Sequence, residues 1–155
     1  MEVGENVGTN WKPLFDILMS VKIHDYKIDV LYLSDRQGFY DYMKTFMLQA
    51  ILEFDKDAIH SLEYADCVDE EGFDTCTFVE SLLPLEQSIL INYMHLYLMS
   101  LYISEATIQT QMIGLRSEKN INADSDIKYK QQNVEALKEN ISAQLRDYLI
   151  TIIIV

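Results

Sequence analysis

Asp57 and His60 stand three residues apart, the separation at which carboxylate-bridged di-iron bundles present their Glu-x-x-His pairs. Such a centre needs a second pair and two further inward-facing glutamates, and the chain offers no second pair. Cys67, Asp69 and Glu71 precede Gly72 as positions one, three and five precede the glycine of an EF-hand loop. The first and twelfth ligands would then be Cys67 and Phe78, where calcium needs carboxylates. His60, Cys67 and Cys76 match no tight zinc spacing, and no sequence feature supports a nucleophilic cysteine–histidine pair. The five glycines are scattered singly, so there is no phosphate-cradling loop. His95, in an apolar run, reads as a core histidine. The expectation is of no catalytic residue, no metal and no cofactor: this is not an enzyme.

What remains is charge and apolar surface. The 155 residues carry a net charge of −13, and 49% are apolar, a composition that folds. From Glu53 to Glu80 there are ten carboxylates against one base, Lys56, so this stretch alone holds −9 of the total. Grip on nucleic acid phosphates is therefore excluded as a main activity, because no basic cluster exists to release counterions. The start, MEVGENVGTN, has neither the basic region nor the apolar run of a signal peptide. With two cysteines, reduced thiols in a cytoplasmic setting are the expectation. Leu85–Ile103 is long enough to span a bilayer but is interrupted by Glu86, Gln87, Ser88, Asn92, His95 and Ser100, so no membrane segment is expected.

The elements follow from periodicity. Residues 1–12 read as a flexible arm. Pro13–Lys22 reads as a short helix with Leu14, Ile17 and Leu18 on one side, and 23–34 as extended or loop. Asp35 caps a helix to about Phe54, on which Phe39, Met43, Phe46, Met47, Ala50 and Phe54 form one stripe. Residues 55–80 mix acids with spaced apolar residues and are partly helical, with ADCVDEEG the most loop-like piece. A long helix, apolar nearly all round, runs from about Leu83 to Ile108 or beyond. Residues 114–125 form a polar connection. A last helix, capped by Asp124 or Ser125, reaches Leu149 with Val134, Leu137, Ile141, Leu145 and Tyr148 as its stripe. The chain then ends on Ile150, Thr151, Ile152, Ile153, Ile154 and Val155, a run of high β-propensity. The expected architecture is all-α, a small helical bundle with a long central helix and an apolar extended C-terminal tail. The domain is 13–149, and a neighbouring subunit covers part of the central helix.

The order of segments LFDILMSVKIHDY, MKTFMLQAILEF, FVESLLPLEQSILINYMHLYLMSLYI and VEALKENISAQLRDYL resembles a known family. It is similar to the small α-helical head-tail adaptor (connector, or neck) proteins of tailed phages that infect Gram-positive bacteria. The matching features are Ala50-Ile51-Leu52-Glu53-Phe54 closing one helix, then Glu86 with Ile89, Leu90 and Met94 opening the next. The resemblance covers roughly residues 13–149; the connection at 115–125 is longer and the C-terminus more apolar than the family pattern. It implies a structural virion component in the phage neck, present in the host cytoplasm before assembly. That component is a homo-oligomeric ring, commonly twelve-fold, that joins the portal protein to a stopper or tail-completion protein. Double-stranded DNA passes through without specific binding.

On that reading Tyr93, Leu96, Tyr97 and Tyr102 are subunit-interface candidates. Asp66, Asp69, Glu70, Glu71 and Asp74 line the channel or the outer surface, where carboxylates repel passing phosphates. Residues 150–155 dock on the portal by adding a strand to a sheet edge, or else fold back on the bundle. The alternative reading is an acidic DNA-mimic inhibitor of a host nucleic-acid enzyme, with 53–80 as the mimic surface. A carboxylate-metal enzyme is the third.

Overall fold

The computed structural model describes residues 8–22, 26–69, 71–113 and 117–154. The chain divides into two compact units, Met1–His95 and Leu96–Val155.

In the first unit α1 (Trp11–Ile17) continues into one π-helical turn, Leu18–Lys22. Asn10 caps α1 by accepting the Lys12 N–H at 2.8 Å. Pro13 falls in the first turn, where its missing N–H would have had no helical partner. Trp11, Leu14, Phe15 and Leu18 are fully buried. Residues 8–12 are thus not an arm: Trp11 packs edge-on to Phe15 at 6.2 Å and against Tyr64 and Phe78 at 4.9 and 5.4 Å. The rest of the expected arm, residues 1–7, lies outside the described residues.

Helix α2 (Tyr26–Ser34) occupies part of the segment expected to be extended or loop. It meets α3 (Arg36–Phe54) through Tyr32, whose ring stands edge-on to Phe39 at 4.9 Å and carries the Arg36 guanidinium at 3.6 Å. Asp35 caps α3 by accepting from Gly38 N–H, and all six residues of the expected stripe are buried.

An antiparallel hairpin follows, and it overturns the all-α expectation. Strand β1 (Tyr64–Val68) pairs with β2 (Asp74–Phe78) in the register Tyr64 to Phe78, Asp66 to Cys76, Val68 to Asp74. The reading of ADCVDEEG as loop fails because its first four residues are strand. Thr75, Thr77 and Phe78 have high β-propensity and Gly72 supplies the turn; the density of acids hid that pattern. Gly72 has φ +83°, where a side chain would be strained.

Residues 8–10 lie along the other edge of β2. Thr9 O accepts the Phe78 N–H at 2.8 Å and Asn10 bridges Thr77. A Cβ on Gly8 would overlap the Phe78 carbonyl oxygen, so only glycine permits that approach.

Helix α4 (Pro84–Ile113) begins in the first unit and ends in the second. Its start is a reach-back cap: Glu86 Oε1, three residues in, accepts the Leu83 N–H at 2.8 Å. Ile89, Leu90, Ile91, Asn92, Tyr93 and Met94 are buried, so the chain itself covers this stretch of the apolar helix on all sides.

In the second unit α5 runs from Ser117 to Ile154, roughly 57 Å at 1.5 Å per residue. Two expectations fail here. Ser117–Ser125 is helix and not a connection, and residues 114–116 of the expected connection lie outside the described residues. Ile150–Ile154 is helix and not an extended tail. The period of the Val134, Leu137, Ile141, Tyr148 stripe carries through those residues, and helix propagation adds one hydrogen bond per residue fixed. Those four stripe residues are buried, while Leu145 is half-buried.

Candidate functional site: the lysine-clamped acidic hairpin

The connection between β1 and β2 is built around one carboxylate. Asp69 Oδ1 accepts the N–H groups of Glu71 and Phe73, each at 2.9 Å, and its carbonyl accepts from Gly72 N–H at 3.0 Å. A short acidic side chain doing this folds the chain back as a local turn. The remaining oxygen, Oδ2, takes the Lys12 ammonium at 2.7 Å, and Glu71 takes the same ammonium at 3.1 Å. The Lys12 charge also lies 5.3 Å from the Phe73 ring centre. The hydrogen bond to Asp69 raises the Lys12 pKa well above its ordinary value, against the opposing effect of burial. The same bond holds the Asp69 carboxyl below its ordinary value.

A second lysine stands at the other end of the turn. Lys44 Nζ is 3.7 Å from Asp74 Oδ2 and 3.8 Å from Asp41 Oδ1. Gln37 grips the Asp74 backbone from both sides, accepting its N–H at 2.8 Å and donating to its carbonyl at 3.0 Å. The hairpin is therefore held to α1 by Lys12 and to α3 by Gln37 and Lys44. Neither lysine lies in the acidic stretch of sequence, so the local count of one base against ten acids misjudges the folded surface. Asp69, Glu71 and Asp74, expected to line a channel or an outer surface, spend their charge on these contacts. Asp66 accepts from the Cys76 thiol at 2.9 Å. Glu70 lies outside the described residues.

Asn10 ties the remaining corner. Besides capping α1 it donates to Thr77 Oγ1 at 2.8 Å and accepts from Thr75 Oγ1 at 3.1 Å. An asparagine just before a helix with proline in its first turn is a cap signal legible in the sequence; the two threonine contacts, more than sixty residues away, are not.

The groups that could do chemistry are placed against it. Burial, then the neighbouring Asp66 carboxylate, pushes the Cys76 thiol up to about 12, which keeps it protonated and inert. Cys67 is exposed, pairs in register with Thr75 and faces the opposite side of the sheet from Cys76. Asp57 lies beyond the end of α3, not on a helix with His60. His60 Nδ1 instead meets the buried Glu86 Oε1 at 2.7 Å, closing 55–83 onto the start of α4. Among the described residues no three His, Cys, Asp or Glu side chains are grouped to hold a metal ion, and no helix is long and apolar enough to cross a membrane.

Of the subunit-interface candidates, Tyr93 is buried in its own chain, and Leu96, Tyr97 and Tyr102 are half-buried. Among the tail residues, Ile150 is 53% exposed and Thr151 is exposed. No family model, no curated protein and no solved structure matches the chain.

Proposed function

We propose that the chain is a structural subunit of a phage neck, an adaptor that assembles as a ring between the portal and the stopper or tail, with DNA passing through its centre. The observation that carries this reading is where the family-like residues lie. Six of them, Ala50, Phe54, Glu86, Ile89, Leu90 and Met94, drawn from two separate segments of the pattern, are fully buried, while Ile51 and Glu53 are half-buried and Leu52 is exposed. The six are the positions that would specify a shared core, not surface coincidences. A closed ring needs two different faces on each subunit, and Leu96, Tyr97 and Tyr102 remain candidates for one of them. The C-terminal contact with the portal takes a revised form: near the end of α5 Leu149 and Ile150 are exposed, which suits docking of a helix in a groove.

The DNA-mimic reading loses support from the same hairpin. A mimic presents unneutralised carboxylates at phosphate-like spacing, whereas Lys12 and Lys44 sit among these. The test is the light-scattering mass of the purified protein, alone and after mixing with the portal protein of the same genome. A stoichiometric ring on the portal is the expected result. A monomer or dimer that ignores the portal would remove the proposal.

A further inference from the structure

Among the described residues nothing pairs with the outer edge of β1, and its chemistry selects what can close it. Val79 N–H donates to Glu63 O at 2.8 Å and Asp69 N–H to Phe73 O at 3.1 Å. In an antiparallel ladder, residues turned toward the partner strand alternate with residues turned away. Ala65 and Cys67 therefore also turn toward β2, and Tyr64, Asp66 and Val68 direct their N–H and C=O groups outward. The β2 side agrees. The register partners of Tyr64 and Val68 send their N–H groups away from β1, Phe78 to Thr9 O and Asp74 to Gln37 Oε1. The sheet thus runs from residues 8–10 through β2 to β1 and stops there, and all five residues of β1 are exposed. A row of unpaired backbone groups of this kind is a template for another strand.

We infer that this edge docks an extended segment of a partner protein in which an arginine or lysine is flanked, two residues away on each side, by apolar residues. The outward-bonding positions are Tyr64, Asp66 and Val68, with Tyr64 44% and Val68 65% exposed. A strand laid antiparallel against them places its i, i+2 and i+4 side chains opposite an apolar, an acidic and an apolar residue. Glu63, exposed and next to Tyr64 in the chain, adds to the negative charge of Asp66. A second copy of this chain fits poorly. The antiparallel register that pairs all five residues sets Asp66 directly opposite its own copy, and like charges there destabilise the pair. The inference goes beyond the neck reading and holds whether or not the chain forms a ring.

The experiment is a titration of the full chain with two capped seven-residue peptides, Thr-Val-Thr-Arg-Thr-Val-Thr and the same peptide with Glu in place of Arg, followed by amide hydrogen exchange. In the free protein the Ala65 and Cys67 amides are protected and those of Tyr64, Asp66 and Val68 exchange freely. The Arg peptide protects the latter three and binds at least about tenfold more tightly than the Glu peptide, a difference of about 1.4 kcal/mol. Val68→Pro removes an outward N–H while sparing the ladder to β2. It weakens the Arg peptide by at least about tenfold, with Ala65 and Cys67 still protected as proof that the hairpin is intact. Four results would each overturn the inference: outward amides already protected in the free chain; equal binding of the two peptides; protection that appears elsewhere; or a concentration-dependent dimer that consumes the edge.

Discussion

A thiol 2.9 Å from a carboxylate oxygen invites a nucleophile assignment, and burial decides against it. A thiolate at Cys76 would be desolvated beside Asp66, with both effects favouring the neutral form. At pH 8 a soluble alkylating reagent is accordingly expected to modify Cys67 and to leave Cys76 untouched until the chain unfolds, as peptide mapping would show. The same shift sets an alkaline limit. The unfolded thiol ionises near 9 while the folded one keeps its proton to about 12. Stability is thus fully present below pH 9 and declines as pH rises, by up to about 1.4 kcal/mol per pH unit from this group. Denaturant melts of the native chain and of Cys76→Ala across pH 8–11 measure it, and parallel curves would refute the assignment. Asp69 acts at the other end of the scale. Its pKa is depressed by Lys12, so its contribution is present above the ordinary carboxylate range and is lost as pH falls through the lowered value. Lys12→Met should flatten that acid-side loss and should also remove the alkaline decline that the raised Lys12 pKa imposes above the ordinary lysine value.

At the scale of elements, the hairpin is the part least able to stand alone. A two-stranded ribbon is marginal in water, and here α1, α3 and residues 8–10 brace it. Asn10 joins three of these contacts: the α1 cap and the two threonine hydroxyls on β2. Asn10→Ala should therefore cost more than an ordinary cap, about 2 kcal/mol against the usual 1. Gly8→Ala, which cannot keep its approach to the Phe78 carbonyl, should release residues 8–10 and expose the Trp11 region, read as a red shift in tryptophan emission. Unchanged emission would show that the approach is not needed. These contacts also mark what could be read in advance. The stripes of α3 and α5 and the Asp35 cap were legible because they depend on neighbours within one or two turns. The hairpin was not, because its strands are short, charged and fixed by Lys12, Gln37 and Lys44 from elsewhere in the chain. Helix α2 was missed for a related reason. Tyr26–Ser34 has a weak apolar stripe and is held in place by α3, through the Tyr32–Phe39 and Arg36–Tyr32 contacts.

For the whole molecule, the net charge and the end of α5 act in opposite directions. Each copy carries −13, so copies repel one another at low ionic strength. A template that supplies binding energy is then the natural way to gather them. The last turn of α5 is the surface suited to that. Ile150 is 53% and Leu149 42% exposed, Thr151 is exposed, and Ile152 is half-buried. Removing Ile150 and Thr151 takes little packing from the chain itself. Deleting residues 150–155 should therefore cost no more than about 1 kcal/mol, a fall of about 2–4 °C in Tm for a chain of this size. If the chain is the proposed adaptor, the same deletion should lower affinity for the portal at least about tenfold, since the exposed Ile150 would be desolvated on docking. The two readouts part the explanations. If Tm holds and portal binding is lost, the turn is a docking element. If Tm falls by tens of degrees, the apolar run belongs to the chain's own core and the proposed docking role of the turn is withdrawn.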